Sequence, residues 1–263
     1  MTGYHHPIVE QMPAAPMLIA ILTDIHANRE AFTACLAHAE ERRAQRYAFL
    51  GDLVGYGADP AWVVDTVMAY VAQGAIAVQG NHDAAVAQAS GKSMNAKARE
   101  VVDWTRSQLG REQLDFLDRL PLTQEAGECL FVHATAAEPR SWEYITGTLE
   151  AVKSMHATDR RVSFCGHVHQ PALYNLSPTG KVSAFVPSGD SSIPLGTQRH
   201  WLVLPGSVGQ PRDGNPAACY ALYDDATHEL IYFRVPYDHD AAAEKIRAAG
   251  LPASIGDRLQ QGR

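Results

Sequence analysis

Short unbroken apolar runs alternate with longer amphipathic stretches from Leu18 onward. The runs at 18–23, 47–50 and 75–78 have the length and composition of strands buried on both faces. Between them, 30–43 and 60–73 carry apolar residues at helical spacing. Pro60 suits the first turn of its helix, with Asp59 as N-cap, and Gly74 suits the exit. The order β-α-β-α-β predicts a parallel sheet with right-handed crossovers. Between 81 and 121 the strand pattern lapses. There Asn95 is placed to cap a helix reaching Leu109, with Ala98, Val101, Val102 and Leu109 on one stripe and Gly110 ending it. A second short helix over 112–120 stops at Pro121. We take 84–120 as a helical insertion, too small to own a core. Strand signals resume at Cys129–Val132, 162–165, 173–176, 181–186, 201–204, 219–223 and Glu229–Val235. The turns Pro178-Thr179-Gly180 and Asp224-Asp225 bring the late strands close together and predict antiparallel pairing. A last helix over 240–249 closes at Gly250. The expected layout is an extension at 1–16, one domain at 17–250 and a tail at 251–263.

Composition narrows the class. Apolar residues make up 46% and charged residues 19%, which suits a globular domain and excludes a disordered chain. No apolar run approaches the roughly 20 residues of a membrane helix, so no membrane partner is expected. The net charge is −7 and the basic residues are scattered apart from Arg42, Arg43 and Arg46, which argues against binding long nucleic acid. Cys35, Cys129, Cys165 and Cys219 are far apart and form no CxxC, as buried thiols of a reducing compartment would be. With no secretory pattern at the N-terminus, the expected location is the cytoplasm. A homo-oligomer is left open.

The chemistry collects where the apolar runs stop. Asp24-Ile25-His26 follows the first, Gly51-Asp52 the second and Gly80-Asn81-His82-Asp83 the third; His133 and Gly166-His167-Val168-His169 follow two later runs. Asp-x-His or Gly-Asp alone is an ordinary turn, Gly-Asn-His-Asp is open between a turn and a ligand site, and His133 alone is a satisfied histidine, whereas Gly-His-x-His by itself reads as a ligand pair. Five in succession on strand ends point to a ligand edge. Asp24, Asp52 and Asp83 side by side would repel one another unless a cation joined them. Imidazole with carboxylate suits Mn, Fe, Zn, Ni or Co, and the lack of thiolate argues against a structural zinc. The donors suffice for two divalent ions with one carboxylate bridging. His5, His6, His38, His156, His200, His228 and His239 follow no such rule and receive no role. Trp62, Trp104, Trp142 and Trp201 are expected to be packing residues.

These blocks, Asp24-x-His26, Gly51-Asp52-x-x-Gly55, Gly80-Asn81-His82-Asp83, His133 and Gly166-His167-x-His169, resemble those of the calcineurin-like metallophosphoesterases. Gly55-Tyr56-Gly57-Ala58-Asp59-Pro60 and 205–212 resemble the branch of small bacterial and archaeal phosphoesterases. The resemblance spans roughly 17–250. It implies an α/β fold, a four-layer α/β/β/α sandwich of two packed sheets. It implies a first ion on Asp24, His26, His169 and Asp52, and a second on Asp52, Asn81, His133 and His167. A hydroxide between the ions would attack a small phosphomonoester or phosphodiester. His82, steadied by Asp83, would protonate the leaving oxygen, with Asn81 also near the substrate. Arg212 would hold a non-bridging oxygen, or only close its turn; Asn28 would cap the helix beside Asp24. Ala27 and Ala134 stand where the family usually has glycine, which bears on the width of the mouth. A dinucleoside polyphosphate hydrolase is the alternative enzyme, with Tyr56 and Trp142 as stacking candidates. A retromer-type scaffold is the non-catalytic one, and it would have lost ligands that are all present here.

Overall fold

The alternation of side chains along each strand decides the layering. In the first strand, β1 (Leu18–Leu22), Ile19 and Ile21 join one buried cluster while Ala20 and Leu22 join another. The same division holds for β11 (Ala218–Asp224), where Ala221 and Tyr223 point one way and Tyr220 and Leu222 the other. Strands apolar on both faces need cover on both faces. They receive a second sheet on one side and helices on the other.

The structure is a computed structural model and describes residues 17–89 and 96–263. The first sheet adds β2 (Arg46–Phe49), β3 (Ile76–Ala77), β9 (Ser192–Pro194) and β12 (Glu229–Val235), in the order β3-β2-β1-β11-β12-β9. The second holds β4 (Thr123–Ala126), β5 (Cys129–Val132), β6 (Val162–Phe164), β7 (Pro171–Leu176), β8 (Val182–Phe185) and β10 (His200–Pro205), in the order β4-β5-β6-β10-β7-β8. Strands β1, β2 and β3 are parallel, as are β5, β6 and β10; the other pairings are antiparallel. Ile21, Leu50 and Val78 meet Phe131, Phe164 and Val203 between the sheets. Helices α1 (Arg29–Glu41) and α2 (Pro60–Ala72) cover the first sheet through Phe32, Cys35, Val63 and Val67. Helix α6 (Thr148–His156) covers the second through Ala151 and Met155. The expected α/β sandwich is therefore present, with the early strands parallel and the late ones paired antiparallel within two mixed sheets.

Local departures have identifiable causes. Asp59 stands at the N-cap of α2 but makes no capping bond; Lys245 Nζ donates to its Oδ2 at 2.8 Å and draws the carboxylate toward the C-terminal helices. The turn expected after β3 is itself a helix, α3 (Asn81–Gln88), so an insertion beginning at 84 would start inside it. Helix α4 runs Ala96–Ser107; Asn95 lies outside the described residues, as does the Ala98 side chain. Gly110 does not end α4 but precedes α5 (Arg111–Arg119), where Gln113 Oε1 accepts its N–H. Val102, Leu109, Leu117 and Leu120 join the core of the first sheet. The segment expected as a tail forms α8 (Ala253–Gln261), whose Ile255 and Leu259 pack with Ile246 of α7 (His239–Ala248). Strands β4 and β9 and helix α6 had no clear sequence signal, because β4 and β9 are short and largely exposed. The extension at 1–16, with His5 and His6, lies outside the described residues. Among the described residues no helix is long and apolar enough to cross a membrane. All four cysteines are buried and free.

The segment 207–209 runs against 23–25, with the Val208 N–H donating to Thr23 O and the Gly209 N–H to Asp24 O. A Cβ on Gly209 would stand 1.8 Å from the Ile25 carbonyl oxygen. Gly209→Ala is expected to cost at least about 2 kcal/mol by forcing these segments apart. Gly214→Ala, at a positive φ of 84° with open space around it, should cost about 1 kcal/mol. Thermal unfolding of the two variants checks the ranking, and a Gly209→Ala protein as stable as the wild type contradicts this packing.

Candidate metal centre

The predicted residues come from both sheets and meet at one end of the sandwich. Asp24, His26, Asp52 and His169 each present a donor atom within 4.8 Å of the others; Asp52, His133 and His167 form a second such group. All six are buried, and Asp52 belongs to both groups. Its Oδ2 lies 3.7 Å from His26 Nε2 and 3.4 Å from His133 Nε2, between the two halves. Asn81 Oδ1 lies 3.2 Å from His133 Nε2 and so joins the second group.

Backbone geometry at these positions is costly. Asp24, His26, Asp52, His167 and His169 all have φ between 50° and 68°. Left-handed backbone at a non-glycine residue costs of order 1–3 kcal/mol and persists only where its surroundings impose it. Here the His26 and Ala27 N–H groups donate to Asp52 O and Leu53 O, and the Gly166 N–H donates to His133 O. Ala27, where a glycine was usual, itself takes φ 53°; Ala134 takes no positive φ.

The imidazoles are oriented by main-chain carbonyls. His26 Nδ1 faces Val54 O at 3.1 Å, His133 Nδ1 faces Leu50 O at 2.7 Å, and His169 Nδ1 faces Gln210 O at 2.7 Å. His167 reverses the arrangement, with Nε2 facing Trp142 O at 2.9 Å. A carbonyl accepts only, so each of these nitrogens carries the proton, and the other nitrogen turns inward as a donor to metal. Those inward nitrogens approach in pairs: His26 Nε2 to His169 Nε2 at 3.1 Å, and His133 Nε2 to His167 Nδ1 at 3.1 Å. Facing lone pairs beside two buried carboxylates are a set that divalent cations satisfy, so the residues fit the metals expected of them.

Electrostatics agree. Burial pushes the Asp24 carboxyl up, with Asp52 adding to the shift against the pull of His133. Burial acts on Asp52 too, but His133, His82 and His26 together outweigh it and hold that carboxyl well below its usual range. Burial lowers His26 and His169 well below an ordinary imidazole and lowers His167 to about 3. His133 alone goes up, to about 9: burial opposes its charge, but the Asp52 and Asp24 carboxylates prevail. A bound cation favours the deprotonated carboxylate and the neutral imidazole at these positions.

His82 stands apart. It is 8% exposed, lies 5.0 Å from the His26 ring, and has a buried Nδ1 without a hydrogen-bond partner. Gly55 leaves the room for it, since a Cβ there would stand 2.6 Å from that nitrogen. Asp83 does not steady the ring as expected. Its Oδ1 accepts the Leu53 and Val54 N–H groups at 2.9 and 3.2 Å and its Oδ2 accepts the Gly80 N–H at 2.9 Å, so the carboxylate is consumed by backbone. The His82 N–H itself donates to Asp52 Oδ1 at 2.8 Å. Arg212 donates through Nε and Nη2 to Gln210 Oε1 and sits 5.9 Å from the Tyr56 ring. Asn28 does cap α1, accepting the Ala31 N–H, and also donates to Gly209 O. Trp62, Trp104 and Trp201 pack as expected, but Trp142 borders the centre through its carbonyl. Residues that sequence reasoning missed include Thr23, whose hydroxyl donates to Asp24 Oδ2, and Ser207, whose hydroxyl donates to Asp24 O. Tyr144 stacks on His167 with centroids 3.9 Å apart. A loop tyrosine outside every motif carried no signal for this contact.

A model of the calcineurin-like phosphoesterase superfamily domain matches residues 17–228. The chain is 34% identical over 251 residues to the protein MJ0912 of Methanocaldococcus jannaschii, covering 94% of this chain and 98% of that one. It superposes on a metallophosphoesterase from Sphaerobacter thermophilus with TM-score 0.83 at 34% identity, covering 94% and 100% of the two chains. The protein PH1004 of Pyrococcus horikoshii shares the fold, with TM-score 0.75 at 21% identity over 94% and 98%.

Adding Mn(II) to the metal-free protein is expected to stabilise it, by about 2.7 kcal/mol at a hundredfold excess over Kd. That corresponds to a rise of about 5–11 °C in Tm. A scan that does not move with added metal, or that chelator does not reverse, contradicts the fit.

Proposed function

The chain belongs to the calcineurin-like phosphoesterase superfamily, and from that footing we propose that it hydrolyses small phosphomonoesters or phosphodiesters with two divalent metal ions. The observation that carries this reading is the Asp52 carboxylate, whose Oδ2 lies between the inward nitrogens of His26 and His133. One ion would be held by Asp24, His26, His169 and Asp52, the other by Asp52, Asn81, His133 and His167. The donor set suits Mn, Fe, Zn, Ni or Co. When bound, such a pair supplies charge for the phosphoryl oxygens and activated water near neutral pH. It also lets a chain of net charge −7 accept an anion.

The remaining roles belong to the protein's own groups. His82 donates a proton to the departing oxygen. Its ring lies beside the first group without being committed to a carbonyl. Burial holds its pKa below the usual imidazole value, and a phosphate anion alongside raises it again. Asp83 acts at one remove, binding the 53–54 turn to Gly80 and so placing the start of α3 that carries His82. Arg212, its guanidinium braced by Gln210, holds a non-bridging oxygen. The buried free thiols support a reducing compartment such as the cytoplasm.

Three measurements test this. Asp52→Asn is expected to lower occupancy at both sites together, read as metal per chain; loss of one ion only would remove Asp52 as the bridge. His82→Ala is expected to keep the metals and slow turnover by about 10²–10⁴, with the smallest loss for esters of acidic phenols, whose leaving groups need no proton. Equal losses across leaving groups would reject His82 as the acid. Mn-loaded protein offered 4-nitrophenyl phosphate and bis(4-nitrophenyl) phosphate is expected to turn over at least one of them, and inactivity on both with every metal above would sink the reading.

A further inference from the structure

Resting on the phosphoesterase reading above, we propose that Tyr144 forms a stacking subsite for a planar aromatic group on the arm of a phosphodiester that stays bonded to phosphorus.

The ring of Tyr144 lies nearly parallel to that of His167, with centroids 3.9 Å apart and planes inclined by 22°. One face is therefore occupied by a side chain of the metal centre. The residue is nevertheless 48% exposed, so much of its surface not covered by His167 is open to solvent. Its position is not a matter of a loose loop. Ile145, next in sequence, is buried with Val132, Ala151 and Cys165. On the other side, Glu143 pairs with Lys153 at 2.9 Å, and Trp142 presents its carbonyl to His167. An aromatic ring is thus pinned beside the reacting centre with an open face, the geometry a planar ligand group uses.

The other aromatic at the centre has a different setting. Tyr56 lies 4.6 Å from both His26 and His82, within the first group. A group leaving toward His82 departs on that side. Tyr144 lies with His167, in the second group, so the arm that passes it is the one retained. A monoester has no such arm. The open ring therefore favours diesters whose retained arm ends in an aryl ring or a nucleobase.

The test uses one leaving group and three retained arms: methyl, phenyl and thymidine-5′ esters of 4-nitrophenyl phosphate. In each, a water oxygen bonds to phosphorus as the bond to 4-nitrophenolate breaks, and the water's proton passes to solvent. The kcat/KM ratios of phenyl to methyl and of thymidine to methyl are measured for metal-loaded wild type, Tyr144→Phe and Tyr144→Ala, with metal content determined alongside. The wild type should prefer a planar arm. Tyr144→Ala should reduce that ratio by about 5- to 150-fold, mainly through KM, and Tyr144→Phe should keep it. Any common loss that comes from disturbing His167 cancels in the ratio and shows in the metal content. A ratio unchanged in Tyr144→Ala, or lost equally in Tyr144→Phe, overturns the subsite while leaving the phosphoesterase standing. Failure of the metal-loaded wild type on every ester, the monoester included, overturns the phosphoesterase reading instead.

Discussion

Two buried carboxylates and four buried imidazoles occupy one small volume, and the rest of the structure is arranged to make that possible. Such a cluster is unfavourable by itself, since burial opposes every charge in it and the Asp52 carboxylate adds to the upward push on Asp24. The main chain supplies order. The Leu50 carbonyl at the end of β2 and the loop carbonyls of Val54, Trp142 and Gln210 each accept a hydrogen bond from a ring, which leaves the opposite nitrogen aimed inward. Side-chain identity is thereby turned into a directional donor set without any side-chain partner being used for it.

The same backbone accepts strain to do this. Five donor residues sit at positive φ, a conformation that only surrounding hydrogen bonds and close packing hold in place. The contact of 207–209 with 23–25 belongs to that framework. So does Asp83, whose carboxylate closes three main-chain N–H groups and leaves the His82 ring without a partner at Nδ1. The four rings turned by carbonyls and the one left free differ in a way that matches the separate roles assigned to them.

The sandwich explains why the donors arrive from such distant parts of the chain. Parallel strands β1, β2 and β3 deliver Asp24, His26, Asp52 and Asn81 at one end of the first sheet. Parallel β5 and β6 deliver His133, His167 and His169 at the same end of the second. The apolar layer of Ile21, Leu50, Phe131 and Phe164 joins the two. Membership of the calcineurin-like phosphoesterases and the superposition on the Sphaerobacter thermophilus enzyme agree with this plan.

The residues of the centre were legible in the sequence because each follows an apolar run, and a strand end is a position that one-dimensional pattern reveals. The early β-α-β units were legible for the same reason, their apolar periods being strong and their ends marked by glycine and proline. What pattern could not decide was orientation. Asp83 and His82 are adjacent in sequence, yet only the fold shows the carboxylate turned to the main chain at 53, 54 and 80. Asp59 has the chemistry of a helix cap and lost it to Lys245, a partner 186 residues away. Helix α8 looked like a tail because its apolar face is short and finds its partners, α7 among them, only in the folded chain. Tyr144 lies in a loop without periodicity, and its meeting with His167 depends on the packing of its neighbours. Local sequence determined which groups the centre contains; tertiary contacts decided which way each one faces, since hydrogen-bond direction is set by atoms far away along the chain.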